Sequence, residues 1–321
     1  MDKQNKQTVQ AIILAAGGGT RFKSGISKLA YSLCGQEIIL YPVKLMKSLH
    51  IPTTIIVGHQ KNRIIEIVKK NEKTDITFVE QKVQQGTGHA VLCSQPVWNC
   101  RDILVLNGDG PMLTQEVITK LCEAHTSSDA AISLVVSHYV DEGAYGRLVN
   151  HNGLVKIVEA KHFNYTKEQF PYINAGIYII NRTFLETSLN KIKQNATTSE
   201  FYLTDLIEIA SRNHLPVKTV VVPYDLIRGI NTLKDLSEAQ LIKKNELIER
   251  FMANGVQFEN PLTVHIDLNV HIGAGTYIGS GVQLCGKTTI GKHCHIGAYS
   301  ILKNATLKEG TTVVDFSKIA P

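Results

Sequence analysis

The sequence predicts an α/β protein: a Rossmann-like domain with a mostly parallel sheet, followed by a short left-handed parallel β-helix. Two observations carry this. Through the first two thirds of the 321 residues, short apolar runs alternate with amphipathic stretches. Beyond about residue 256 an apolar side chain returns at every sixth position. Alternating strands and helices build a parallel sheet covered on both faces, and a strict period of six builds a three-sided parallel solenoid. The expected division is 1–231 for the α/β domain, 232–255 for a linker helix and 256–321 for the β-helix.

The elements follow in order. Val9 to Leu14 is a continuous apolar run, the pattern of a strand buried on both faces. Ile38 to Leu49 has helical spacing, Thr53 to Val57 is β-branched, and Lys61 to Lys70 is again helical. Ile76 to Val79 reads as a strand and Thr87 to Val97 as a helix; Asp102 to Leu106 is a strand and Thr114 to His125 a helix. Ligands of such sheets bind beyond the carboxyl ends of the strands. Loops rich in glycine or aspartate stand at two of those ends, after Leu14 and after Leu106.

From about Thr232 to Met252 runs one long polar helix, and then the texture changes. Ile266, Ile272, Ile278, Leu284, Ile290, Ile296 and Leu302 lie six apart. Two residues before each stand Val264, Val270, Thr276, Val282, Thr288, Cys294 and Ser300, all small or β-branched. Past Leu302 the period slips by one, to Leu307 and Val313, so roughly three coils are expected. A solenoid so short buries little alone, and side-by-side packing into a homotrimer is the expected remedy. His293-Cys294-His295 sits on this repeat and reads as one corner of a coil.

Composition narrows the function. Hydrophobic residues are 43% and charged residues 19%, values of a globular chain. No segment approaches roughly 18 uninterrupted apolar residues, so no membrane partner is expected. The polar stretch Met1 to Gln7 lacks the apolar core of a secretory signal, which points to the cytoplasm. None of the six cysteines forms a C-x-x-C pair, as suits ordinary thiols in a reducing compartment. The net charge of +6 is spread among acidic residues and favours small polyphosphates or plain solubility over nucleic acid.

Three segments carry chemistry. Leu14-Ala15-Ala16-Gly17-Gly18-Gly19-Thr20-Arg21 follows a strand and matches neither the Walker loop nor G-x-G-x-x-G. Its adjacent glycines allow backbone N–H groups to approach phosphate, with Arg21 and Lys28 as nearby cations; read blandly, it is a tight turn with two surface bases. Asn107-Gly108-Asp109 ends an apolar strand, where an aspartate faces a triphosphate-bound Mg²⁺ or caps the next helix. In Gln81 to Ala90, Gln81 presents donor and acceptor together, as a pyrimidine edge requires, and Thr87 opens a helix. His89 reads as a packed or capping histidine without a role.

Taken in order, the patterns L-A-A-G-x-G-T-R, a lysine, Q-x-G-T-G-H-A and G-D-x-P resemble the N-terminal domain of bacterial N-acetylglucosamine-1-phosphate uridylyltransferases, the GlmU family. Tyr145-Gly146-Arg147-Leu148, Ile157-Val158-Glu159, Ile173-Asn174-Ala175-Gly176-Ile177, Glu200 to Asp205 and Gly229-Ile230-Asn231 extend the likeness over about residues 9 to 305. The resemblance implies a nucleotidyltransferase that joins UTP to N-acetylglucosamine 1-phosphate with Mg²⁺ and supplies peptidoglycan and lipopolysaccharide precursors. It implies nucleotide contacts at Leu14, Ala15, Ala16 and Gly17, and at Asn107, Gly108 and Asp109. It implies phosphate contacts and catalysis at Arg21 and Lys28, and uracil contacts at Gln81, Gly86 and Thr87. It implies Mg²⁺ ligands at Asp109 and Asn231, and a sugar site at Gly146, Glu159, Asn174, Asn231, Tyr202 and Thr204.

Three positions depart from the family pattern. Ser27 stands where proline precedes the lysine, Gly110 replaces a bulkier residue, and Phe22 replaces methionine. The first is expected to slacken the loop carrying Lys28, the second to loosen Asp109. No segment matches the family's acetyltransferase motif, so acetyl transfer is not expected. The rival readings are a sister enzyme using glucose 1-phosphate or dTTP, and a nonenzymatic nucleotide-binding regulator.

Overall fold

The computed structural model describes residues 8–19, 22, 25–73, 75–138, 145–160 and 172–321. Arg21 lies outside them. The chain divides into two compact units, 1–31 with 38–231, and 32–37 with 232–321.

Among the described residues, the first unit is built on a nine-stranded sheet. Its strands are β1 (Val9–Ala15), β4 (Thr53–Val57), β5 (Ile76–Glu80), β6 (Asp102–Asn107), β7 (Ile132–Ser137), β8 (Arg147–His151), β9 (Leu154–Val158), β10 (Tyr172–Asn181) and β11 (Val217–Val221). The hairpin strands β2 (Ser32–Leu33) and β3 (Gln36–Glu37) belong to the second unit. The main order is β11-β7-β10-β6-β1-β4-β5, with the β8–β9 hairpin attached to β10.

Burial explains the order. β4, β6 and β7 are buried almost throughout and lie inside the sheet, whereas β5 and β11 alternate with exposed residues and form its edges. All pairs are parallel except those of β10 and the hairpin; β10 runs antiparallel to both β6 and β7. The β8–β9 turn is Asn152-Gly153, with φ of 52° and 86°, which suits a tight hairpin twisted like its strands.

Among the described residues the α-helices are α1 (Leu40–Ser48), α2 (Lys61–Asn71), α3 (Thr87–Cys93), α4 (Gln115–Ser127), α5 (Arg182–Ser188), α6 (Asp205–Arg212) and, in the second unit, α7 (Leu233–Ala253). The predicted helix 87–97 stops at Cys93 and resumes as a tighter turn over Gln95–Val97, because Pro96 has no N–H to donate. The core packs Ile12, Ile56, Ile103, Val105 and Leu134 against Leu206, Ile207 and Ala210 of α6. Each buried Ile, Leu or Val side chain among them contributes about 1.5–3 kcal/mol.

The second unit joins the β2–β3 hairpin, α7 and the β-helix. Thr232 caps α7 reciprocally with Asp235, which ends the preceding loop cleanly. The β-helix has three faces of stacked two- or three-residue strands, four deep on two faces and three deep on the third. The hexad residues point inward, Ile266, Ile278, Leu284, Ile296 and Leu302 being fully buried. The small residues two positions earlier are buried as well, and their hydroxyls are satisfied: Thr276 Oγ1 donates to the Gly291 carbonyl (2.9 Å) and Ser300 Oγ to that of Val314 (3.0 Å).

The slip past Leu302 does not end the stack. Ile278 pairs with Ile296, eighteen residues on, but Ile296 pairs with Val313 and Leu302 with Ile319, seventeen on. One residue is lost at the corner holding Asn304, whose φ is 52° and whose Oδ1 accepts from the Lys287 N–H (2.9 Å). The side chain closes the shorter corner and the register continues. His293-Cys294-His295 is a corner as expected: His293 lies over Gly275, Cys294 is buried and the His295 ring stacks on Tyr277 at 4.7 Å.

Candidate active site

The carboxyl ends of β1 and β6 are tied together, since the Gly108 N–H donates to the Leu14 carbonyl (2.9 Å). Over them opens a cavity of about 380 Å³ in the first unit. It is lined by Leu14, Lys28, Thr87, Asn107, Asp109, Gly146, Glu159, Asn174, Tyr202, Thr204 and Asn231, all of them sequence-predicted site residues. Ala15, Ala16, Gly17, Gln81, Gly86 and Gly108, also expected from the sequence, are not among the lining residues.

One wall is a charge cluster. Lys28 opens the short turn Lys28–Ala30, and its Nζ reaches the Asp109 carboxylate and Asn231 Oδ1, the latter at 2.9 Å. The Ile230 N–H donates to the Asp109 carbonyl (3.0 Å), which holds the 229–231 segment beside the β6 loop. A Cβ added at Gly110 would meet nothing within 4 Å, and Asp109 is held through this bond and through Lys28. A carboxylate and an amide oxygen thus converge on one cation. Hard oxygen donors so placed suit Mg²⁺, so the donor set fits the metal.

The lining also holds a second polar group around Glu159. Thr204 Oγ1 donates to Glu159 Oε1 (3.1 Å). Asn174 sits where β10 bulges between Asn174 and Tyr178. Its Nδ2 donates to the Tyr178 hydroxyl (2.6 Å), its Oδ1 accepts from the Gly176 N–H (3.1 Å), and its own N–H bonds the Gly146 carbonyl (2.9 Å). Gly176 has φ of 72°, and a Cβ there would lie 2.4 Å from Asn107 Nδ2. Nearby Asp205 is pushed up to about 6, first by burial and then by Glu208 and Glu159. Tyr145 lines the cavity too; its hydroxyl accepts from the Gly229 N–H (3.1 Å), and burial pushes it above the usual phenol range.

Behind the Leu14 end stands a hydrogen-bonded frame. Gln84 Nε2 and the His59 N–H both donate to the Ala16 carbonyl, at 2.7 and 3.2 Å. Gln81 is buried; its Nε2 donates to the Gly86 carbonyl (3.1 Å) and faces His89 Nδ1 (3.0 Å). His89 therefore orients the Gln81 amide, a role invisible in sequence because a helix-start histidine looks alike whether it caps or buttresses. Thr87 Oγ1 accepts from the Leu203 N–H (3.0 Å), so its hydroxyl braces the Tyr202–Thr204 segment. Among the residues missed in sequence, Tyr145 was legible as part of the Y-G-R pattern; His89 and Gly176 act through contacts that only the fold makes.

Among the described residues, His265, Asp267 and Cys285 also bring metal-ligating atoms within 4.8 Å. Asp267 there is already held by His265 Nε2 (3.1 Å) and the Gly286 N–H (2.7 Å). No described helix is long and apolar enough to cross a membrane.

Comparison with known proteins agrees with this architecture. Residues 11–244 match the MobA-like NTP transferase domain family, and residues 269–304 match the bacterial transferase hexapeptide (six repeats). The chain is 34% identical over 332 residues to the bifunctional protein GlmU of Clostridium botulinum (strain 657 / Type Ba4), covering 97% of this chain and 72% of that protein. It is 32% identical to the bifunctional protein GlmU of Caldanaerobacter subterraneus subsp. tengcongensis, covering 95% of this chain and 66% of that one. The inositol-1-phosphate CTP transferase of T. maritima superimposes with a TM-score of 0.54 at 18% identity, covering 73% of this chain and 95% of that structure, a likeness of fold.

Proposed function

The chain belongs to the GlmU family of sugar-phosphate nucleotidyltransferases, and from that premise we propose that it joins UTP to N-acetylglucosamine 1-phosphate, forming UDP-N-acetylglucosamine and pyrophosphate. The observation that carries the proposal is the pair of polar groups in the lining of one cavity. Lys28 is bonded to Asp109 and Asn231, Thr204 is bonded to Glu159, and Asn174 lines the same cavity. A triphosphate suits the first group and a sugar rich in hydroxyls suits the second.

The chemistry follows from charge. A sugar phosphate oxygen is already anionic at neutral pH, so attack needs no general base. That oxygen forms a bond to the α-phosphorus, the bond from the α-phosphorus to the bridging oxygen breaks, and pyrophosphate departs with the electron pair. The protein's work is positioning and charge neutralisation. Asp109 and Asn231 would hold Mg²⁺, which supplies Lewis-acid neutralisation of phosphate oxygens when bound. Lys28 is assigned to the phosphates together with Arg21. The Leu14–Gly17 backbone and Asn107–Gly108 flank the nucleotide, and Gln81, held by His89 and Gly86, addresses the uracil edge. Glu159 and Asn174 accept and donate to the sugar, with Gly146, Tyr202 and Thr204 around them.

The test is pyrophosphate release with UTP and Mg²⁺, comparing N-acetylglucosamine 1-phosphate, glucose 1-phosphate and glucosamine 1-phosphate, the last with and without acetyl-CoA. Release with the N-acetylated sugar is expected. Release with glucose 1-phosphate alone moves the assignment to a sister enzyme, and nucleotide binding without turnover favours a regulator.

A further inference from the structure

The Lys28 loop is fastened by a residue that is not part of the cavity lining. Gln60 is the last residue before α2, in the position where side chains usually cap the helix. It does not cap. Its backbone is left-handed, with φ of 54° and ψ of 35°, a conformation that side-chain-bearing residues disfavour. Its amide instead reaches across to the loop. Gln60 Oε1 accepts from the Ser27 N–H (2.8 Å), and Gln60 Nε2 donates to the Gly25 carbonyl (2.7 Å). Both ends of one planar amide therefore hold the two peptide groups that lead into Lys28.

We propose that Gln60 is a positioning residue, an amide clamp that sets the Lys28 ammonium against the phosphates. This rests on the reading of Lys28 given above. The absence of proline at position 27 makes the clamp possible, because only a residue with an N–H can donate to Gln60 Oε1. Ser27 itself is buried, with φ of −54° and ψ of 132°, angles a proline also adopts. Ring and clamp are thus alternative ways to restrict the same backbone. The left-handed backbone at Gln60 is part of the device: it swings the side chain off the helix axis and toward the loop.

The experiment is Gln60→Gly, alone and combined with Ser27→Pro, in the full-length chain, with Ser27→Pro as reference for the double variant. Glycine suits the left-handed backbone, so the melting temperature is expected to hold or rise. Turnover is expected to fall roughly tenfold or more through misplacement of the Lys28 cation, with kcat losing more than KM gains. The added proline restores order by another route and is expected to recover most of the lost turnover. Turnover of Gln60→Gly within about twofold of the parent overturns the proposal, since a misplaced group costs far more. A loss matched by a fall in melting temperature overturns it too, as does a double variant that recovers nothing. Lys28→Ala is measured alongside. If that variant keeps its turnover, the reading of Lys28 fails; if it collapses while Gln60→Gly does not, only the clamp fails.

Discussion

Gly86→Ala tests the frame behind the proposed base site. Gly86 has φ of 93° and ψ of 178°, a region essentially closed to residues with a Cβ. Forcing alanine into it costs about 1–3 kcal/mol of strain. The new Cβ would lie 2.6 Å from the Phe201 carbonyl oxygen and 2.9 Å from the Phe201 nitrogen. Those atoms are backbone, and the Gln85 carbonyl already accepts from that Phe201 N–H at 2.8 Å, so they have little room to retreat. Overpacking of this kind adds about 1–3 kcal/mol. The expected loss is therefore about 4 kcal/mol, read by urea denaturation with the slope unchanged. In a unit of this size it lowers the melting temperature by roughly 8–16 °C. Gly110→Ala is the control, because nothing lies within 4 Å of its added Cβ, and it is expected to stay within about 0.5 kcal/mol. A Gly86→Ala loss below about 1 kcal/mol would refute the strain argument.

Three further outcomes are expected. His89→Ala frees the Gln81 amide and should raise KM for UTP several-fold while changing kcat less; steady-state kinetics with UTP varied decide it. Asp205 is raised to about 6 from its ordinary 3.8, so the folded state binds its proton more tightly than the unfolded state, and stability falls as pH rises from about 4 to 6. Asp205→Asn should then be more stable than the parent at pH 7, by on the order of 1 kcal/mol, with the gain gone at pH 4; denaturation at both pH values tests this. In the β-helix, a Cβ on Gly291 would meet the Glu309 nitrogen at 2.5 Å, so Gly291→Ala should destabilise the second unit by about 1–3 kcal/mol in calorimetry.

Much of the fold was legible. Fully buried parallel strands are continuous apolar runs, and Thr53–Val57 and Asp102–Asn107 stand where those runs stand. The reverse direction of β10 was not legible, because the apolar run through Ile180 reads the same whichever way its neighbours point. In the proposed site, the loops after Leu14 and Leu106 were recognisable from their glycines and aspartate. The bond between Lys28 and Asn231 spans 203 residues of sequence, and nothing local to either residue announces the other.

The sequence by itself determined the alternation of strands and helices, the three-sided coil with its inward Ile and Leu ladder, and the set of polar residues available for phosphate and sugar. These are periodic or local properties, set by the two-, six- and 3.6-residue repeats of backbone geometry. Tertiary structure alone decided which polar groups meet. It turned the Gln60 amide to the Lys28 loop, set His89 behind Gln81, bent β10 at Gly176 beside Asn107, and carried the coil register across the missing residue at Asn304. Each of these depends on the path of distant chain segments, and a pattern that repeats every few residues carries no record of that path.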